Sequence, residues 1–373
     1  MAVQQVKVLF VLPRMVAGGI ERMRLVLARD FMDQGMECML ALRHCRGELI
    51  DDARALLQVV ELAPRGMHEF IPSLRRLIER EKPTHIITAF PDVGVLAWCA
   101  MRLARSPAAW VHSVHLTHDG VAARPGILGW ARHLLEQVAA RFVFQRADRI
   151  VAVSNGLVRE ITRMTRQPRA PVTRIYNPVV PDIELKPRDD SERGNGKPFR
   201  IVAIGRLARE KGFDVLIEAM RAVPQPWRLE IYGEGPERPA LEALSREAGL
   251  AEHVAFKGFS SSPFGALRSA DLFVLPSRYE GLGNVVIEAM ACQCQIVATD
   301  CPVGPSEILQ EGRFGQLVPV EDALSLADAI RAAMDRRYFV ATEKLLQRAA
   351  EFSRSEGCRQ WAALVQDLGQ PAP

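Results

Sequence analysis

The sequence runs to 373 residues, 48% hydrophobic and 25% charged, with a formal net charge of +4. That is enough chain for two domains with separate cores, and the composition excludes disordered and fibrous classes. No apolar run approaches the roughly 20 residues needed to span a bilayer. The charge is uneven: residues 1–180 carry 25 Lys and Arg against 16 Asp and Glu, and the remainder 23 against 28. A basic first half suits an anionic partner such as a membrane surface or a lipid-linked phosphate, with a merely solvated basic surface as the plainer alternative.

The first half alternates short apolar runs with helical patterns. Strands are predicted at Val6–Leu12, Cys38–Leu42, Val59–Leu62, His85–Ala89, Ala109–Val114 and Arg149–Val153. Helices are predicted at Ile20–Gln34 (stopped by Gly35), Ile71–Glu81, Gly94–Leu103, Ile127–Arg146 and Leu157–Met164. The alternation specifies a doubly wound sheet. Gly18-Gly19 follows the first strand, but the G-x-G-x-x-G spacing is absent, and with it the case for a nicotinamide cofactor. His112 and His115 fall at the ligand-binding end of the strand Ala109–Val114. The helix Ile127–Arg146 sets Trp130, Leu134, Leu135, Val138, Phe142 and Val143 among Arg132, His133, Arg141 and Arg146. A basic amphipathic helix can lie on a membrane; here the apolar stripe is expected to pack into the core.

Residues 186–198 are polar and rich in Arg, Asp, Ser and Gly, a linker by composition. The pattern restarts with Phe199–Ile204, and Gly205-Arg-Leu-Ala-Arg-Glu-Lys-Gly212 turns into a helix near Phe213, so Arg206 and Lys211 project where the strand ends. The strand Arg228–Tyr232 precedes Gly233-Glu-Gly-Pro236, a weak dinucleotide match because proline follows and the third glycine is missing. Val254–Phe256 then leads to Gly258. The run Leu272–Leu275, the stretch Glu280-Gly-Leu-Gly-Asn-Val-Val-Ile-Glu288-Ala-Met290 and the run Ile296–Ala298 read as buried strand, loop, short helix and strand.

That loop sits where open α/β sheets bind ligands. Gly281 and Gly283 let the backbone approach a ligand. The helix starting near Asn284, between Leu282 and Val285, aims amide N–H groups at the same place, which suits a diphosphate. Glu280 and Glu288 frame the position for a polyhydroxylated ligand, and Arg206 with Lys211 supplies the cations a nucleotide diphosphate leaving group requires. Seven cysteines scattered over the chain fit reduced thiols. Cys292, Cys294 and Cys301 lack a nearby fourth ligand for a metal site. An Asp-x-Asp triplet placed after a strand to hold a divalent ion is also absent.

The form Glu-Gly-Leu-Gly…Glu-Ala-Met at a strand-to-helix junction, with Gly205-Arg206…Lys211-Gly212 before it, resembles the retaining GT-B glycosyltransferases of family 4, the glycogen-synthase-like type. Val151-Ala-Val-Ser-Asn-Gly156 and Ile175-Tyr-Asn-Pro178 are also similar, and the resemblance runs essentially from Val6 to Leu368. It implies an α/β protein of GT-B architecture, two doubly wound Rossmann-like domains facing a central cleft. Residues 1–185 would bind the acceptor, completed by a final helix from about Thr342 to Leu368, and residues 199–341 would bind the nucleotide sugar. The resemblance places Gly18 and Gly19 against the donor phosphates and acceptor, and His115, rather than His112, beneath the donor sugar. It assigns the diphosphate to Arg206 and Lys211 beside Gly205, the donor-sugar hydroxyls to Glu280, the ribose to Glu288 and the nucleobase to the backbone at Gly258. Cys301-Pro-Val-Gly-Pro-Ser-Glu-Ile308 resembles a variant common among transferases of UDP-hexoses and UDP-N-acetylhexosamines, which favours UDP over GDP.

The expected activity is transfer of a hexosyl or N-acetylhexosaminyl group, with retention and without metal or other cofactor. The acceptor is expected to be a glycan or lipid-linked glycan of lipopolysaccharide or exopolysaccharide assembly. The protein is expected to be cytoplasmic, with peripheral contact to an anionic membrane and no nucleic-acid partner. Rival readings are a sugar-nucleotide epimerase, which needs no acceptor, a pyridoxal-phosphate phosphorylase, and a non-catalytic sugar-nucleotide-binding module.

Overall fold

The computed structural model describes residues 5–16, 18–63, 66–116, 127–166, 168–181, 198–260 and 264–368. The predicted linker, apart from Pro198, lies outside the described residues. The chain divides into two compact units, Met1–Pro178 with Arg354–Pro373, and Val179–Ser353.

The first unit is built on seven parallel strands: β1 (Lys7–Leu12), β2 (Glu37–Leu42), β3 (Gln58–Glu61), β4 (His85–Thr88), β5 (Ala109–Val114), β6 (Arg149–Ala152) and β7 (Val172–Arg174). Their order is β3-β2-β1-β4-β5-β6-β7, so the winding reverses between β1 and β4. Helices α1 (Gly19–Asp33), α2 (Ile50–Leu56), α3 (Phe70–Glu81), α4 (Pro91–Leu103), α5 (Ile127–Arg146) and α6 (Asn155–Thr165) connect them. Central strands such as β1 are buried almost throughout, which is why they read as continuous apolar runs. In α3 the spacing of buried Phe70, Leu74, Leu77 and Ile78 gives one apolar face. Ser154 caps α6, its hydroxyl accepting from the Leu157 amide at 3.2 Å.

The second unit carries six parallel strands, β8 (Phe199–Ile204), β9 (Trp227–Tyr232), β10 (Val254–Gly258), β11 (Leu272–Leu275), β12 (Gln295–Thr299) and β13 (Gln316–Val318). Their order, β10-β9-β8-β11-β12-β13, reverses between β8 and β11. Its helices are α7 (Phe213–Met220), α8 (Arg238–Glu247), α9 (Phe264–Arg268), α10 (Asn284–Ala291), α11 (Pro305–Ile308), α12 (Ala323–Met334) and α13 (Thr342–Ala350). Phe213, Leu216, Trp227, Leu229 and Ile330 are among the buried side chains that fill one core. Each unit is therefore a doubly wound, Rossmann-like α/β domain.

Two sequence expectations are corrected here. The final helix is two helices: α13 packs on α10 and stays with the second unit, and α14 (Arg354–Leu368) alone joins the first, packing on α1. The boundary on the outgoing chain falls after Pro178 rather than at residue 185, because Val179 and Val180 donate to the Phe352 carbonyl at 3.2 and 3.1 Å. The second correction concerns α5. Ala140, Val143 and Phe144 are buried, but Trp130 (61% exposed), Leu134 (47%), Leu135 (68%) and Val138 (55%) are not. Among the described side chains of the helix, the core takes only those of the later turns, and an apolar stripe is left in solvent. Among the described residues, no helix is long and apolar enough to cross a membrane.

Candidate active site

In parallel doubly wound sheets ligands gather at the carboxyl edge beside the winding reversal. In the second unit the flanking loops are those after β8 and β11, the ones carrying the two sequence motifs. The loop after β8 runs from Gly205 through a 3₁₀ turn at Arg209–Lys211 to Gly212, whose φ of +63° starts α7. A Cβ on Gly212 would lie 2.0 Å from the Pro276 carbonyl oxygen, so glycine is what lets the two loops touch backbone to backbone.

That contact brings Lys211 to Glu280. Lys211 Nζ donates to Glu280 Oε1 at 2.5 Å, and Ser277 Oγ donates to the same oxygen at 2.7 Å. Glu280 is 6% exposed. Ser277 is held in turn by Thr299, whose hydroxyl donates to the Ser277 carbonyl at 2.5 Å. Arg278, between them, stitches the loops together. Its amide donates to the Glu210 carbonyl at 2.9 Å, and its guanidinium reaches the Arg209 carbonyl at 2.6 Å, both oxygens of Asp214 at 2.9 and 2.8 Å, and Glu321 at 2.6 Å. Burial alone would raise the Asp214 carboxyl, yet the bidentate Arg278 holds it below the usual carboxylate range. Burial, reinforced by the Glu280 charge, pushes the Cys301 thiol up to about 12, so it is no nucleophile at neutral pH.

Helix α10 opens at Gly283 (φ +90°) with no side-chain cap, and its positive end faces the loop Gly281-Leu282-Gly283. That loop is supported by Gly304 (φ +103°), where a Cβ would lie 2.4 Å from the Leu282 carbonyl oxygen. Asn284, Val285 and Glu288 occupy the first two turns and are partly exposed. Arg206 is exposed on the loop after β8, beyond the Gly205 end of that strand. Gly258 ends the edge strand β10, and its carbonyl accepts from the Gly233 amide at 2.8 Å. Gly233 and Gly235 serve close backbone approach: a Cβ there would lie 1.9 Å from the Gly205 oxygen and 2.2 Å from the Leu207 oxygen.

The first unit has its own cluster at the carboxyl edge. Gly18 begins α1, and a Cβ on it would strike the Glu21 carboxylate at 2.3 Å; Gly19 opens the first turn. Burial first of all raises the Glu21 carboxyl to about 7. His115, just past β5, is 9% exposed, with Nε2 2.9 Å from Ser113 Oγ and 3.5 Å from Arg24 Nη2. Burial, then the Arg24 and His112 charges, hold it well below the ordinary histidine value. His112 points elsewhere: its Nδ1 lies 2.8 Å from Thr88 Oγ1, and its ring sits against Trp110 and Phe144.

The structure thus joins Lys211 and Glu280 directly and leaves Arg206, Glu288 and Gly258 on neighbouring segments of the same edge. Sequence reasoning missed Ser277, Arg278, Asp214, Arg24 and Ser113. For Arg24 a signal existed: it interrupts the buried face of α1 formed with Met23, Leu27, Ala28 and Phe31.

Residues 17–183 match the family model Glycosyltransferase Family 4, and residues 198–336 match the model for Glycosyl transferases group 1. The chain is built from two glycosyltransferase domains. It is 28% identical over 202 residues to the Campylobacter jejuni N-acetylgalactosamine-N,N'-diacetylbacillosaminyl-diphospho-undecaprenol 4-alpha-N-acetylgalactosaminyltransferase, a match spanning 54% of this chain and 55% of that relative. A longer match, 26% identical over 348 residues, covers 90% of this chain and 89% of the Rhizobium meliloti lipopolysaccharide core biosynthesis glycosyltransferase LpsE. Among solved structures, Anabaena HepE in complex with UDP superposes with a TM-score of 0.78 at 19% identity, over 97% of this chain and 100% of its own. At that identity the likeness establishes the fold of the two glycosyltransferase domains, which is GT-B.

Proposed function

We propose that the protein is a retaining glycosyltransferase that moves a hexosyl or N-acetylhexosaminyl group from a nucleotide sugar, UDP-linked rather than GDP-linked, to a lipid-linked glycan in lipopolysaccharide or exopolysaccharide assembly. The observation that carries this reading is the Lys211–Glu280 pair, placed by the loops on either side of the winding reversal and beside the uncapped start of α10. The relatives named above, a lipid-linked-acceptor transferase and a lipopolysaccharide core transferase, support the acceptor class. HepE, solved with UDP, supports the nucleotide.

On this reading the ammonium of Lys211, which spends one of its three protons on Glu280, turns the others to the diphosphate, joined by Arg206 and by the first-turn amides of α10. Both bonds recorded on Glu280 fall on Oε1, so Oε2 is the oxygen that meets the donor-sugar hydroxyls. Glu288 takes the ribose hydroxyls, and the backbone at Gly258 the base. In the first unit, His115 offers one ring N–H to a sugar hydroxyl. The departing phosphate accepts the proton of the acceptor hydroxyl on the face it leaves, so no enzymic nucleophile is required. A panel of nucleotide sugars screened by thermal shift tests the class: the true donor, at 100 times its dissociation constant, stabilises by about 2.7 kcal/mol. No response to any nucleotide sugar would reject the reading.

Separate roles for the two glutamates predict separate losses. Glu288→Ala weakens binding of free nucleoside diphosphate and of nucleotide sugar alike. Glu280→Ala spares the free diphosphate and impairs the intact donor. Calorimetry with both ligands decides, and identical losses in the two variants would refute the division.

Lys211, Arg206 and the α10 terminus also supply the positive charge that a metal ion would otherwise provide. Transfer is therefore expected to persist in excess EDTA; a loss restored by manganese or magnesium would refute this.

The exposed stripe Trp130, Leu134, Leu135 and Val138 on α5, beside Arg141 and within the basic first half of the chain, supports peripheral contact with an anionic membrane. Sedimentation with anionic vesicles is expected to fall as salt rises, because each cation near the surface contributes about 1 kcal/mol and is screened beyond a Debye length. A Trp130→Ser, Leu135→Ser double variant should lose vesicle binding and keep transfer to a soluble acceptor. Unchanged sedimentation of that variant would remove α5 from the contact.

A further inference from the structure

The guanidinium of Arg24 is enclosed inside the first unit. The residue is 1% exposed, with Cζ 5.8 Å from the Phe10 ring centroid and 5.6 Å from that of Trp361 on α14. Nη2 donates to Ser113 Oγ and lies 3.5 Å from His115 Nε2, while Nε and Nη1 have no hydrogen-bond partner among the described residues. Glu21, one turn earlier on α1, couples to it electrostatically. A buried cation with so few bonds costs stability that an apolar side chain of similar size would not. Packing therefore does not account for an arginine here; its remaining engagement is with Ser113 and His115.

We infer that Arg24 is a positioning residue for His115: acting directly and through Ser113, it fixes the imidazole proton on Nδ1, so that the histidine meets a sugar hydroxyl as an N–H donor. The inference rests on the assignment of His115 to the sugar in the proposed function. Arginine only donates, so the ring nitrogen that faces Nη2 must present a lone pair. Ser113 Oγ accepts from Nη2; its one hydrogen has two acceptors in reach, the Thr88 carbonyl at 3.3 Å and His115 Nε2 at 2.9 Å, and on this inference it goes to the nearer. The other tautomer would set an N–H dipole against the guanidinium. With Nε2 occupied as an acceptor, the one proton of the neutral ring belongs to Nδ1. Burial and the neighbouring Arg24 charge keep the ring neutral, so it stays in this state while transfer occurs.

Long-range ¹⁵N–¹H NMR of the full chain, with the His115 ring assigned by its loss in His115→Gln, reads the tautomer without reference to activity. The wild type is expected to carry the proton on Nδ1. Arg24→Lys, which keeps a cation and a donor, should retain that tautomer and most of the turnover. Arg24→Met should shift the proton toward Nε2 and lower kcat about a hundredfold, with KM for the nucleotide sugar little changed. Ser113→Ala should move the tautomer in the same direction. A wild-type proton on Nε2, or a tautomer indifferent to both Arg24→Met and Ser113→Ala, overturns the inference at Arg24. A tautomer that follows these substitutions while turnover does not overturns it instead through the assignment of His115 to the sugar. Should Arg24→Met fail to fold, the wild-type tautomer and the Ser113→Ala response decide.

Discussion

Lys211→Ala is expected to lower kcat/KM by two to three orders of magnitude, about 3 kcal/mol of transition-state stabilisation. The side chain is already fixed before any ligand arrives, by the 2.5 Å bond to Glu280, so its charge is in place when the diphosphate begins to leave and little reorganisation is required. The substitution also strips Glu280 of its cation and leaves Ser277 as its recorded partner. Because Glu280 is buried and keeps Ser277, that stability cost is about 1–3 kcal/mol. Arg206→Ala should slow transfer in the same manner with no measurable loss of stability, since Arg206 is exposed. Steady-state rates beside thermal unfolding separate the two effects. Near-normal turnover in both variants would remove the diphosphate assignment.

Gly212→Ala is expected to be among the most damaging single-methyl changes in the second unit. The left-handed φ of +63° costs a non-glycine residue about 1 kcal/mol. The new carbon would also lie 2.0 Å from the Pro276 carbonyl oxygen, backbone that no rotamer change can move. The loops after β8 and β11 must then part, at a total cost of about 3 kcal/mol, and Lys211 loses its register with Glu280. Gly249→Ala provides the control. Its φ is +71° but nothing lies within 4 Å of the added carbon, so it should show the conformational cost alone and bind nucleotide normally. Equal unfolding midpoints for the two variants would mean that the loops are not held by this contact.

The strands and the carboxyl-edge loops were legible because both faces of each sheet are covered. Burial writes itself as short apolar runs at β1, β5, β11 and β12, and the residues that interrupt those runs are the ones at the edge. Lys211 and Glu280 could be named from their positions after strands, but not their bond, since a separation of 69 residues leaves no local trace. Arg278 was hidden for the same reason, its partners lying on three other segments. Helix α12 was legible and overlooked: Asp322 caps it through the Ser325 amide, and Leu326, Ala327 and Ile330 mark its buried face. The break between α13 and α14 was not. Glu351–Ser353 contains neither Gly nor Pro, and what turns the chain there is the pairing of Phe352 with Val179 and Val180. The exposed stripe of α5 defeated the sequence in another way, because an amphipathic pattern records that a face is apolar and not what covers it.

Trp361, whose ring stacks on the buried Arg24, has a consequence for how this protein is made. The first unit is discontinuous, and α14 is translated only after the whole second unit. On a chain emerging from the ribosome, Val179–Ser353 is contiguous and can close its core while α1 still lacks one of its neighbours. The unit begun first is thus completed last. Until α14 arrives, Arg24 has no Trp361 to cover it, and the His115 cluster waits on that helix for its final shape.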